Sequence, residues 1–284
     1  MAKNLGLEDI TEEEIKVLDN LRKRNIQPSE ANKLFSNKYD RTQRNKYDLT
    51  DGKEFKFALI GDTHFGNKST NKEALDAFYK YAVKHGYTQF FHCGDLVDGL
   101  HVHVGQEFEQ YALGFDEQVK DVVNDYPTYK NVKTYYILGN HDLYFKKNAG
   151  ANIGDVISKE RSDLVYLGID EADIKIGNGT ILRISHPGGG CSYALSYRLQ
   201  KQIEAIQGGT KPNILGVGHY HKSMQMMYRN VAAYLVGCFE EQTPFMRSKG
   251  LSAAVGGWLV TGKSGKHGGL KEISGTYIPF MKVN

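Results

Sequence analysis

The stretch Lys133-Thr134-Tyr135-Tyr136-Ile137-Leu138-Gly139-Asn140-His141-Asp142 sets a mostly apolar run directly before a polar one. The run from Lys133 to Ile137 is short, aromatic and branched, which predicts a strand. Gly139 lets the backbone turn sharply where that strand ends. Three polar side chains come next: Asn140 offers a neutral carbonyl oxygen, His141 an imidazole and Asp142 a carboxylate. Such a trio suits a site where one group binds a metal, the next moves a proton or stabilises charge, and the third orients it. Taken alone, the same residues suit a solvated turn equally well, so the rest of the chain decides.

At 284 residues the chain fits one large domain, or one domain with an appendage. Hydrophobic content of 40% and charged content of 24% are ordinary for a globular protein with a full core. Three cysteines, Cys93, Cys191 and Cys238, are too few and too scattered for a disulfide framework or a zinc ribbon. A reducing, cytoplasmic location is the expectation. Met1-Ala2-Lys3-Asn4 runs into acidic residues rather than a secretory signal, and no apolar run reaches membrane-spanning length. The net charge of +3 says little about partners.

Residues 1–50 differ in character from the remainder of the chain. Thr11-Glu12-Glu13-Glu14 forms a capping box opening a helix with Ile15, Leu18 and Leu21 on one stripe. Pro28-Ser29-Glu30 opens a second helix carrying Ala31, Leu34 and Phe35. Between Lys16 and Lys46 nine Lys/Arg face three Asp/Glu. This hairpin is either a nucleic-acid-contacting appendage or a solvated pair packed on the main domain, and Asp40 to Lys53 reads as a linker. Residues 51–284 form the second domain. Phe55–Ile60 predicts a strand. Asn71 caps a helix bearing Leu75, Phe78, Tyr79 and Ala82 on one face, and Gly86 stops it. Thr88–Cys93 predicts a strand, about Glu107–Val123 a long helix. The alternation argues for an α/β sandwich. Short strands cover 164–167, 173–176 and 180–184. A helix begins at Ser192 with Leu195, Leu199, Ile203 and Ile206 inward and ends at Gly208-Gly209. Further strands cover 213–217, 232–236 and 257–261. From Arg247 onward six Lys/Arg accompany one acid, Glu272.

Five places share one pattern: a predicted strand ends in a tight turn that presents Asp, Asn or His. They carry Asp62 with His64, Asp95, Asn140 with His141, His186, and His219 with His221. In an α/β sandwich, strand ends converge on one rim, so residues distant in sequence can meet. Asp62, His64, Asp95, Asn140, His186, His219 and His221 are too many oxygen and nitrogen ligands for one catalytic metal. They suit two metals sharing a carboxylate, and Asp95, the unaccompanied one, is the natural bridge. Each piece also has a plain reading. A lone Asp after a strand is commonly a turn former, His219-Tyr220-His221 fits an edge strand, and Ser185-His186-Pro187 fits a loop.

Gly61-Asp62-Thr63-His64, Gly94-Asp95, Gly139-Asn140-His141-Asp142, His186 and Gly218-His219-Tyr220-His221 together resemble the calcineurin-like metallophosphoesterase superfamily over about residues 55–261. The resemblance implies two mixed β-sheets packed face to face and flanked by helices, a four-layer αββα sandwich. It implies one metal on Asp62, His64, Asp95 and His221, and another on Asp95, Asn140, His186 and His219. His141 would be catalytic without being a ligand, with Asp142 orienting it. The chemistry would be attack of metal-activated hydroxide on phosphorus, with two cations roughly 3.5–4 Å apart clamping the phosphate. His141 would stabilise or protonate the leaving oxygen. The mixed donor set favours Mn, with Fe or Zn possible, over Mg or Ca.

For substrate, Asp62-Thr63-His64-Phe65-Gly66 is similar to the first motif of recombination-repair exonucleases in the superfamily. Gly94-Asp95-Leu96-Val97-Asp98-Gly99 is similar to the exonuclease subunit of archaeal D-family DNA polymerases. Ser185-His186-Pro187 followed by Gly188-Gly189-Gly190 departs from the usual form of either. The resemblance implies a phosphodiesterase acting on nucleic acid, an exonuclease by preference. The alternatives are a phosphoesterase for small molecules or phosphoproteins, and a non-catalytic accessory subunit. The glycine run could let backbone amides approach a phosphate, or be a flexible link. His101 and His103, just after the second motif, could touch substrate near the site or be exposed loop residues, and the second reading is preferred; His92 reads as a core histidine, and His85 and His267 as surface.

Overall fold

The structure, a computed structural model, describes residues 44–280. The helices expected before residue 44 lie outside the described residues. Among the described residues twelve strands form two six-stranded mixed sheets. The first sheet is ordered β12-β11-β2-β3-β4-β5: β2 (Glu54–Ile60), β3 (Gln89–His92), β4 (Lys133–Leu138), β5 (Leu164–Ile169), β11 (Gly256–Ser264) and β12 (Leu270–Pro279). The second is ordered β1-β6-β7-β8-β10-β9: β1 (Asn45–Leu49), β6 (Glu171–Ile176), β7 (Thr180–Ser185), β8 (Ile214–Val217), β9 (Ser223–Tyr228) and β10 (Val231–Val236).

The sheets face each other across a core in which Phe57, Leu59, Phe91 and Ile137 meet Ile174, Leu182, Ile184 and Val236. Burial on both faces explains why these central strands read as nearly continuous apolar runs. Outside the first sheet, α1 (Lys72–Lys84) buries Leu75, Phe78, Tyr79 and Ala82, the face its spacing predicts. The Asn71 side chain caps it by accepting from Ala74 N at 2.8 Å. The same layer holds α2 (Phe115–Asp125), α3 (Leu143–Ala149) and α4 (Ile153–Glu160). Outside the second sheet, α5 (Leu195–Ala205) buries Leu199 and Ile203 against β8 and β10. The short α6 (Pro244–Ser248) follows β10. The expected αββα layering is therefore present. No helix among the described residues is long and apolar enough to cross a membrane.

Some local expectations fail. The supposed linker contains β1, which pairs in parallel with β6 from Asn45↔Ala172 to Leu49↔Ile176. Arg44 anchors it by an ion pair to Glu171 at 2.7 Å. The compact unit accordingly begins at Arg44 rather than residue 51. The helix expected over 107–123 is a 3-10 turn (Gln106–Phe108), a loop, and then α2, because Gly114 adopts extended backbone and starts the helix afresh. Helix α5 starts at Leu195, not Ser192, and Leu195 is 36% exposed. The basic C-terminal stretch lies mostly in the β11–β12 hairpin.

Strand direction decides what the fold does for function. β2, β3 and β4 run parallel, as do β7, β8 and β10. Their C-terminal ends present Asp62, Asp95, Asn140, His186 and His219 from both sheets. The rim loops are tied together: Asp62 N donates to Gly94 O at 2.9 Å, and Phe239 N to Asp62 O at 3.0 Å.

Candidate metal and active site

The structure brings all seven ligand candidates into one place. Ligand atoms of Asp62, His64 and His221 lie within 4.8 Å of one another, and so do those of Asp95, His186 and His219. Asn140 joins the second group, its Oδ1 3.2 Å from His186 Nε2. One oxygen of Asp95 faces both groups: Oδ2 lies 3.0 Å from His186 Nε2 and 3.9 Å from His64 Nε2. Its other oxygen accepts the His141 backbone N–H at 2.9 Å. Asp62 accepts from His219 N at 2.8 Å and stands 3.3 Å from His221 Nε2.

The backbone here is held in costly conformations. Among the described residues, Asp62, His64, Asp95, His219 and His221 all have positive φ, between 47° and 77°. Non-glycine residues adopt that region at a cost, and such outliers gather where side chains must be aimed. Gly139 solves the tightest approach. A methyl group there would meet Asp95 Oδ1 and stand 2.7 Å from the Asp95 backbone nitrogen. Gly139→Ala should therefore displace Asp95, lowering metal affinity and costing about 1–3 kcal/mol of stability through overpacking. Manganese titration beside a denaturant melt checks this; unchanged affinity would mean that the turn yields elsewhere.

The hydrogen bonds test whether this donor set fits cations. His186 Nδ1 pairs with Cys93 O at 2.7 Å and His219 Nε2 with Gly189 O at 2.7 Å. A carbonyl only accepts, so each of those nitrogens carries the proton, and the other ring nitrogen is a lone pair directed at the site. His64 Nδ1 faces Asp98 Oδ1 at 3.1 Å in the same way, leaving its Nε2 3.1 Å from His221 Nε2. Lone pairs and carboxylate oxygens thus converge with no donor between them, unless the imidazoles are protonated. Without a cation His186 and His141 are, whereas burial lowers the pKa of His219. Burial would lower the His186 pKa, but Asp95 beside it raises it to about 9. The same two influences, with Asp98 added, bring His141 to about 10. Burial would raise the Asp95 carboxyl, and the His186 and His141 charges instead hold it well below the usual range. A site that protonates its own imidazoles to balance buried carboxylates fits divalent cations of the nitrogen-and-oxygen-binding kind.

The residues around these ligands carry a correction. Asp142 does not orient His141. Its carboxylate accepts backbone N–H groups from Val97 at 2.8 Å, Gly139 at 2.8 Å and Leu96 at 3.2 Å. It sits at the start of α3, pointing back under the Asp95 loop, so it braces two ligand turns. Burial, with Asp95 next in effect, pushes its pKa to about 7. The residue that holds His141 is Asp98: its backbone carbonyl accepts from His141 Nδ1 at 2.7 Å, and its carboxylate lies 3.5 Å away. Asp98 is itself fixed by Gln106 at 3.0 Å and Asn67 at 3.2 Å. The string Leu96-Val97-Asp98-Gly99 contained the signal, an acid three residues beyond the candidate ligand Asp95. Glu240 also faces the site and was not foreseen.

A cavity of about 380 Å³ opens over the ligands, walled by His103, Tyr220, Phe245, Met246 and Leu251. His103, expected on an exposed loop, instead stacks on Phe245 with ring centroids 4.1 Å apart. His101 is 59% exposed, as expected of a loop residue. His92 is buried with Nε2 3.1 Å from Thr63 Oγ1, but its Nδ1 has no partner, so it is a core histidine only partly satisfied.

The chain is 24% identical over 241 residues to the DNA polymerase II small subunit of two Halobacterium salinarum strains, across 70% of this chain and 46% of that protein. It thus spans about half the length of the curated relatives it matches. Among solved structures, a novel archaeal phosphodiesterase aligns with TM-score 0.43 at 15% identity, covering 79% of this chain and 100% of that one. Zinc-bound Vps29 from Entamoeba histolytica aligns with TM-score 0.39 at 13% identity, covering 79% and 99%. The family description "calcineurin-like phosphoesterase" matches residues 55–223, more than half of the sequence. The chain belongs to the calcineurin-like phosphoesterase family, metal-dependent hydrolases of phosphoesters.

Proposed function

We propose that this protein is a dinuclear phosphodiesterase acting on nucleic acid, with DNA as the preferred polymer and cleavage from an end. The observation that carries the reading is the aromatic and apolar cavity beside the ligand cluster. A phosphate needs only charge, whereas Phe245, His103 and Tyr220 offer faces to an organic group attached to it. Base stacking on such rings stabilises binding by about 1–3 kcal/mol per base. The segment forming the cavity's lip also carries Arg247 and Lys249, both exposed, where a polymer's neighbouring phosphates could be met. The likeness to a DNA polymerase small subunit supports the same class of substrate.

Asp62, His64, Asp95 and His221 would hold one ion, and Asp95, Asn140, His186 and His219 the other. Manganese, iron and zinc all suit the mixed donors, and manganese is the ion we favour. The chemistry two such ions supply is neutralisation of phosphoryl charge and a lowered pKa for a water aligned with the leaving oxygen. Asp95 sets the spacing of the two positions. Asp98 fixes His141 through Nδ1, which leaves Nε2 for the leaving oxygen. The hydrophobic walls exclude water around the reacting group. Buried free thiols at Cys93 and Cys238 support a reducing, cytoplasmic setting.

A second reading rests on the cavity's size, which lies in the range of pockets that enclose a whole small ligand. A panel of single-stranded DNA, duplex DNA, RNA, cyclic nucleotides, a phosphopeptide and a chromogenic diester, with manganese added, separates the two. We expect cleavage of DNA, with affinity falling on a log–log salt slope of about 0.7–0.9 per phosphate neutralised. Removing residues 1–43, which leaves β1 intact, should flatten that slope while sparing the chromogenic diester. Efficient hydrolysis of small phosphoesters with neither binding nor cutting of nucleic acid would replace the first reading with the second.

A further inference from the structure

Glu240 lies outside the motif pattern. It follows β10 beyond Gly237, on the rim where the other strand ends deliver their ligands. It is 3% exposed and lines the cavity over the ligands. No hydrogen bond reaches its carboxylate among the described residues; its charged neighbours are His221 Nδ1 at 3.5 Å and His64 Nε2 at 4.0 Å. His221 Nδ1 is likewise buried without a hydrogen-bond partner. The Cys238 thiol lies beside the His221 ring as well, but it donates to main-chain oxygens, of Glu240 at 3.2 Å and Ala254 at 3.6 Å. A buried imidazole nitrogen with no hydrogen-bond partner therefore faces a carboxylate, and leaving such a nitrogen unpaired is costly.

We propose that Glu240 is a positioning residue of the Asp62/His64/His221 metal position, holding the His221 ring through Nδ1–H so that Nε2 faces the ion. The inference rests on the two-metal reading. It gives the two positions different backing. At the first, the histidines are backed by carboxylates, His64 by Asp98 and His221 by Glu240. At the second, both are backed by main-chain carbonyls, His186 by Cys93 and His219 by Gly189. A carboxylate behind an imidazole raises its basicity and adds negative charge near the ion. The first position therefore binds its ion more tightly, and the second exchanges more readily.

Manganese titration of the full chain by calorimetry and electron paramagnetic resonance tests this on wild type, Glu240→Gln and Glu240→Ala, with thermal melts of the metal-free proteins. Glu240→Ala should weaken one of two binding steps by about 10–100-fold and leave the other unchanged. Glu240→Gln should fall between, because an amide oxygen still accepts from Nδ1–H but brings no charge. The isosteric Gln variant keeps the test usable if Ala disturbs the fold. Unchanged affinities in both variants, or equal loss at both steps, would overturn the assignment. Wild-type protein binding a single ion would sink the two-metal reading instead, and the effect of Glu240 would still be read on that ion.

Discussion

Asp95→Asn is expected to bind fewer than one ion per chain after manganese reconstitution, where the wild type binds two. The asparagine keeps an oxygen for the His141 backbone N–H, so the turn between β4 and α3 retains its hydrogen bond. What is lost is the negative charge on Oδ2, the one oxygen that approaches a histidine of each cluster. Removing a single preorganised charge-stabilising group costs about 10²–10³-fold in turnover. Here one group serves both positions, so the loss should exceed about 10³-fold. Elemental analysis and turnover on one preparation provide the check. A variant that keeps one ion at full affinity would show that Asp95 serves one position only.

The same residue shows why the site could be read from the sequence. Asp95 belongs to a local signature, a strand followed by a glycine turn and an acid, and parallel strand order gathers such turns on one rim. Gly94 and Gly139 mark the turns because no Cβ fits there: at Gly94 it would stand 2.5 Å from His186 Nδ1. Asp98 and Glu240 matter through what they touch across the fold, Asp98 meeting His64 and His141 and Glu240 meeting His221. Periodicity carries no record of that. Asp142 misled for the same reason. Adjacency in sequence to His141 implied contact, whereas the first turn of α3 aims its carboxylate at the backbone of Leu96 and Val97.

The fold was legible to a similar depth. Central strands such as β2, β3 and β10 are buried on both faces and read clearly. The unforeseen strands β1, β9 and β12 all lie at sheet edges. In Asn45-Lys46-Tyr47-Asp48-Leu49 polar and apolar residues alternate only over the four positions from Lys46. Ser223-Met224-Gln225-Met226-Met227-Tyr228 is built on methionine, which lacks the β-branching that marks strands. In β12, Lys271, Glu272 and Gly275 dilute the pattern. Charged and flexible residues at an edge discourage pairing with other chains, and that protection is what hides the strand.

His141→Asn should separate chemistry from metal binding. Both ions should remain on the proposed ligand set, which leaves out His141 although its ring lies within 4.8 Å of ligand atoms of His64 and Asp98: the ring is held by the Asp98 carbonyl and packs edge-on against His64, with centroids 4.5 Å apart. Turnover should fall by about 10²–10⁴-fold, the usual contribution of a positioned acid or base. That range corresponds to about 2.7–5.4 kcal/mol of transition-state stabilisation. Charge makes the direction specific. Burial would lower this imidazole, and Asp95 and Asp98 raise it to about 10 in the metal-free protein; two cations nearby oppose that shift. A protonated Nε2 can donate to a leaving alkoxide, as on a nucleic-acid strand, which is a poor leaving group without a proton. A nitrophenolate needs no such help. The loss in His141→Asn should therefore be near its full size on DNA and much smaller on a chromogenic nitrophenyl diester. Equal losses on both substrates would mean that His141 stabilises charge on the phosphoryl group rather than protonating the leaving oxygen. Loss of an ion together with activity would make it a ligand.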